Sequence, residues 1–231
     1  MENDNELLAA MPVPKAFIKL ALPAVAAQLI NILYNLVDKM FIGHIPEVGK
    51  EALAGVGVTS MSILTSIMQF VMLLLPGLVQ GAQPLLSYNL GAKNISRVKK
   101  TFRLLLICCV SGSFLIWLVC MLIPGNVASV FTGDMALITY TEKSMRIYLA
   151  MLLIYGVQVA CQYSFVALDQ AKKAIFLTIW RKIILLIPLI FILPQILSGS
   201  AMGVFLAEPI ADTIAVCTTA PMFWNYYRKL K

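Results

Sequence analysis

Six apolar runs, at about residues 16–42, 53–78, 101–123, 137–167, 174–195 and 201–227, take up most of this chain. A hydrocarbon core about 30 Å thick is crossed by about 20 apolar helical residues, so each run is long enough to span a bilayer. In lipid every backbone N–H and C=O must be satisfied within the protein, and a helix does this inside its own segment. The expected fold is therefore an all-α bundle of six transmembrane helices (16–231), preceded by a short N-terminal segment (1–15). Composition agrees: 60% of the 231 residues are hydrophobic and 13% are charged, against about 45–50% and about 25% in soluble domains. The acidic start, Met1 to Glu6, leads into an apolar run too long for the core of a signal peptide, so the first helix is expected to stay in the mature protein.

The net charge of +7 suggests nucleic acid at first sight, but the cations sit in the short segments between spans. Lys15 and Lys19 open the first span. Lys93, Arg97, Lys99, Lys100 and Arg103 lie between the second and third. Lys172, Lys173, Arg181 and Lys182 surround the start of the fifth, and Arg228, Lys229 and Lys231 end the chain, which puts 14 of the 18 Lys and Arg on one side. The opposite side holds Lys39, Lys50, Lys143 and Arg146. This bias is a topology signal, and it predicts both termini in the cytoplasm. The implied partner is a lipid bilayer, in the plasma membrane of a cell, and no nucleic acid. Cys108, Cys109, Cys120, Cys161 and Cys217 fall within apolar runs in no metal-like spacing and read as small packing residues.

Polar side chains inside the spans carry the functional signal. In the first, Gln28, Asn31, Asn35 and Asp38 recur at steps of three and four, which places them on one helical stripe, and Tyr34 adds a hydroxyl one turn before Asp38. A carboxylate within a span costs about 2.5–3.5 kcal/mol, so it usually faces a cavity or a partner. Asp38 is either such a site or an interfacial residue beside Lys39. In the second, Gln69, Pro76, Gln80 and Gln83 share a stripe that either lines a cavity or joins helices. Pro76 and Pro84 predict bends there, and Pro188 and Pro194 predict a break in the fifth. Ser111, Gly112 and Ser113 form an expected packing patch, and Asp169 an expected helix end.

The last span carries Glu208 and Asp212 one turn apart, with Pro209 between them. Counted from Ala201, they lie about 10 Å and about 16 Å into the helix. Burial and mutual repulsion would let the two share a proton; the alternative is a neutral acid hydrogen-bonded across the bundle. No enzyme signature accompanies them. There is no phosphate-cradling glycine loop, no HExxH and no nucleophile elbow, and the single histidine is His44. No cofactor is implied.

Several stretches resemble one known family. Leu20–Val25 (LALPAV), Tyr34–His44 (YNLVDKMFIGH) and Leu53–Gly57 (LAGVG) resemble the opening helix of multidrug and toxic compound extrusion (MATE) transporters. Gly81–Lys93 (GAQPLLSYNLGAK), Ala171–Ala174 (AKKA) and Pro209–Asp212 (PIAD) resemble that family's second lobe. The resemblance implies a bundle like one lobe of a MATE transporter and antiport of organic, often cationic, compounds against protons or sodium ions. It also implies a cation-coupling site at Asp38 lined by Tyr34 and Asn31, with Glu208 and Asp212 matching the last helix. From their stripes, Gln28, Asn35, Gln69, Gln80 and Gln83 are the expected lining of a substrate cleft. Such transporters have twelve spans in two lobes, whereas six are found here. The expectation is a second lobe supplied by a homodimer or by a full-length relative. The alternatives are a non-transporting remnant left by internal deletion, and a lipid-precursor flippase of the same superfamily, which the acidic intramembrane charges disfavour.

Overall fold

The computed structural model of the chain describes residues 11–21, 53–196 and 201–230. Gln28, Asn31, Tyr34, Asn35 and Asp38, and most of the first span, lie outside the described residues. Within them the protein is all-α. A helical segment at 13–21 (α1) is followed by α2 (Leu53–Gly91), α3 (Ile95–Leu122), a short α4 (Pro124–Ser129), α5 (Met135–Tyr148), α6 (Leu152–Ala167) and α7 (Ala171–Ile179). A π-helical stretch (Trp180–Leu186) joins α7 directly to α8 (Ile187–Ile196), and α9 (Ala201–Lys229) ends the fold.

Three helices, Thr59–Gly91, Ile95–Leu122 and Ala171–Leu193, are long and apolar enough to cross a membrane, and the α5–α6 pair makes a fourth if counted as one span. Several details depart from the sequence reading. The second helix runs on past residue 78 to Gly91, 39 residues in all, with Pro76 and Pro84 inside it. Its buried positions, Leu64, Met68, Val71, Leu75, Val79, Ala82 and Leu86, repeat every three or four residues and form one core-facing stripe. The fourth span is two helices meeting at 49°, broken at Leu149–Met151 without a proline or glycine. In the fifth, the chain stays helical through Pro188 and the irregularity falls just before it. Proline at 188 leaves the carbonyl of Ile184 without a helical donor, and a widened turn over 180–186 accommodates it.

One end of the bundle is stapled tightly. Both α2 and α6 finish in a residue with left-handed backbone, Lys93 (φ 55°) and Asp169 (φ 58°). In each case two bonds close the turn: Lys93 N to Leu90 O and Asn94 N to Asn89 O, then Asp169 N to Val166 O and Gln170 N to Phe165 O. This is the Schellman arrangement, which satisfies carbonyls that a helix end leaves open. Asp169 therefore sets a helix end, as its position suggested. Arg97 ties the first turn down by donating from Nε to Asn89 Oδ1 at 3.1 Å and from Nη2 to the Met11 carbonyl at 2.7 Å. Beside these turns Phe102 and Phe165 pack on Phe223, one tilted and one edge-on, with centroids 4.5 and 4.9 Å away, and join α3, α6 and α9. Lys99 lies over Tyr227 and Lys173 over Tyr226, at 5.7 and 4.8 Å.

Further along, α3 and α6 come so close that a Cβ on Gly156 would clash with the Cys109 carbonyl oxygen and sit 2.5 Å from Ser113 Oγ. Of the expected packing patch, Ser113 takes part in this small-residue contact, of the kind that lets membrane helices approach, while Gly112 lies against Leu75 of α2 and Ser111 is exposed. Gly156→Ala must push the helices apart against backbone, at a cost of about 1–3 kcal/mol. Thermal unfolding in detergent should show the loss, while Gly133→Ala, where a Cβ meets nothing within 4 Å, should leave the midpoint nearly unchanged.

Candidate functional site

The polar centre of the bundle lies where its helices are least regular. Glu208 and Asp212 sit one turn apart on α9, so they share a face. That face meets the break between α5 and α6 and the π-helical stretch. Tyr148 is the last residue of α5, Tyr155 lies in the first turn of α6, and Arg181 is the second residue of the π stretch.

Arg181 and Asp212 form a buried ion pair, with Asp212 only 1% exposed. The guanidinium grips both carboxylate oxygens, Nε donating to Oδ1 and Nη2 to Oδ2, the latter at 2.8 Å. Its other side rests on an aromatic face: the guanidinium carbon lies 5.3 Å from the centroid of the Tyr155 ring, a favourable placement for a cation. A planar fork matched to a carboxylate suits arginine rather than lysine.

Glu208 is held differently. Its Oε2 accepts a hydrogen bond from the Tyr148 phenol, and its side chain is half-buried. Among the described residues it has no cationic partner within ion-pair distance. The two acids of α9 thus each have their own partner. Spacing placed them on one face correctly, but a cation from the neighbouring helix separates their roles.

A second polar run leads away from this centre. Gln158 Nε2 donates to Gln162 Oε1 at 3.1 Å, and Gln162 Nε2 donates to Thr178 Oγ1 at 2.8 Å, linking α6 to α7. Gln69 and Gln80 are exposed on α2 and Gln83 is half-buried. Helix α2 packs against α3, α5 and α6.

Three members of the centre are not marked in the sequence: Arg181, Tyr148 and Tyr155. By position Arg181 counts with Lys172, Lys173 and Lys182 as a topology signal, yet it is buried. It lies ten residues beyond Ala171, hence about 15 Å into the helix, and the depth argument that applies to Asp212 would have found it. The two tyrosines give no comparable signal, because nothing in the sequence marks the α5–α6 break.

An all-α bundle of apolar helices, two of them irregular around buried charge, defines a multi-span membrane protein. Residues 23–192 match the model of the MatE family, and the chain belongs to that family. It is 26% identical over 204 residues to the multidrug export protein MepA of Staphylococcus aureus (strain N315), a match that takes in 86% of this chain and 42% of MepA. Among solved structures, it is 33% identical to the MATE multidrug transporter DinF-BH, with a TM-score of 0.66 over 75% of this chain and 38% of that one. An outward-facing multidrug resistance MATE transporter of the MOP superfamily shares the fold at 14% identity, with a TM-score of 0.70 over 92% of this chain and 45% of that one. The chain thus spans less than half the length of the relatives it matches.

Removing one partner of a buried pair strands the other charge, at about 3–5 kcal/mol. Arg181→Met should therefore lower the thermal midpoint of the purified chain sharply, and Lys182→Met, at an exposed position, should not. Equal midpoints for the two variants would mean that the pair does not hold the bundle together.

Proposed function

We propose that the chain forms one lobe of a cation-coupled antiporter that exports organic, often cationic, compounds, and that it acts in transport rather than in catalysis. The family membership supports the class, and one observation carries the charge preference. The Arg181–Asp212 pair cancels internally, which leaves the carboxylate of Glu208 in excess on the α9 face. A surplus of negative charge beside irregular helices suits a cation, since membrane transporters place substrate and coupling ion at discontinuous helices near the midplane. The buried arginine weakens the charge argument against a flippase, but the excess is still acidic.

In this reading Asp38, with Tyr34 and Asn31, takes the coupling proton or sodium ion, and the cleft is lined by Gln28, Asn35, Gln69, Gln80 and Gln83. Both termini lie in the cytoplasm and the bundle in the plasma membrane. Alternating access needs a second lobe, from another copy of this chain or from a longer relative. Two copies with termini on the same side would meet through a self-complementary face. A remnant without transport is the competing reading.

The test is Asp38→Asn, which removes the charge and keeps the size. Cells producing the variant should accumulate ethidium to the level of cells with no transporter, with the protein still inserted. An Asn variant that lowers ethidium as well as the parent does would remove Asp38 from the coupling site. A parent chain that exports nothing, alone or beside a longer relative, would favour the remnant.

A further inference from the structure

We infer that Glu208 is the exchangeable proton carrier of the described bundle, and that Arg181 is a positioning residue, a tethered counter-ion that withdraws Asp212 from exchange. This rests on the antiport reading and deepens it by choosing between the two acids of α9.

The geometry treats the two carboxylates unequally. Asp212 is 1% exposed and has both oxygens engaged by one guanidinium. Protonating it would leave Arg181 as an uncompensated buried cation. Such a charge is far costlier than the pair it came from. Glu208 is half-buried, and only its Oε2 is bonded, to a neutral phenol. Its Oε1 takes no hydrogen bond among the described residues, so a proton can add there while Tyr148 O–H still donates to Oε2. The step is simple: a proton leaves water, one O–H bond forms on Oε1, and the net charge of the cluster rises from −1 to zero.

The groups that face Glu208 agree. From α5 comes Tyr148 and from α9 itself Asp212; Arg181 of the π stretch and Tyr155 of α6 lie behind Asp212 and act on it instead. Lys182 is exposed and acts on Asp212 from further off. Helix α8 (IPLIFILPQI) contributes no titratable side chain. Arg181 and Asp212 cancel, and both tyrosines are neutral, so Glu208 alone carries charge that nothing within the cluster balances.

The full chain, purified in lipid nanodiscs, can be titrated by infrared difference spectroscopy, following the carbonyl band of a protonated carboxylic acid. Tetraphenylphosphonium serves as a cationic probe, and transport is not required. The expected result is that Glu208→Gln removes one protonatable group per chain together with the probe's power to displace its proton. The double variant Arg181→Gln/Asp212→Asn should keep both, because the amide pair retains shape and bonding without charge. Asp212→Asn alone should lower the thermal midpoint, and adding Arg181→Gln should restore it; this separates a stranded charge from simple misfolding. Loss of the band in the double variant with retention in Glu208→Gln would overturn the proposal, making Asp212 the carrier. Retention in both would overturn it too. If sodium removes the band at fixed pH and ionic strength, the choice of a proton is wrong. A chain that shows the expected titration but never exports a drug would count against the antiport reading alone.

Discussion

The ion pair between Arg181 and Asp212 sets terms that the rest of the bundle has to meet. Each ion loses several kcal/mol of hydration on burial, and the attraction offsets this only when the geometry is close to ideal. Here both oxygens are engaged and an aromatic ring backs the guanidinium. A slip of one residue along α9 would turn Asp212 by about 100° and strand both charges. The pair therefore specifies the register between the fifth and last spans more than it adds net stability. That register is held at a distance by features without charge: the aromatic cluster of Phe102, Phe165 and Phe223, and the close approach of α3 to α6 at Gly156.

The π-helical stretch belongs to the same problem. A regular helix gives each backbone carbonyl a donor four residues on, and Pro188 removes that donor for Ile184. Widening the turn over 180–186 absorbs the fault within the span instead of breaking it. It also resets the angular position of everything after Arg181, so the pairing face and the apolar residues of α8 need not follow one continuous periodicity. Irregular helices at functional positions are common for this reason. Here the irregularity can be traced to one proline and one buried cation.

The all-α class was legible because apolar runs of this length admit few alternatives in lipid. Glu208 and Asp212 were legible as a face because i, i+4 spacing is a property of any helix. What escaped was whatever depended on a neighbour. Arg181 looks like one of a basic cluster because it adjoins Lys182, and only the packing of α9 beside it shows that the two cations differ. The break after Tyr148 has no proline or glycine to announce it, so Tyr148 could not be assigned to the acid it touches. Conversely, Pro76, Pro84 and Pro209 announce helix ends that do not come, since each lies inside a continuous helix. Proline reports a missing bond, and whether a bend follows depends on the packing around it.

Placing three charged side chains in an apolar bundle would cost about 2.5–3.5 kcal/mol each if they stood alone near the bilayer centre. The arrangement lowers that cost in two steps. Pairing Arg181 with Asp212 removes two of the three charges from the sum, leaving a dipole instead of a net charge. The third, Glu208, is half-buried and bonded to a phenol, so its penalty is reduced but not removed. The described interior is thus electrically balanced when that one carboxyl is neutral and carries a charge of −1 when it is not. Among the described residues the charge that no neighbouring cation balances is confined to one carboxylate, and it lies on the face of α9 that meets the irregular helices.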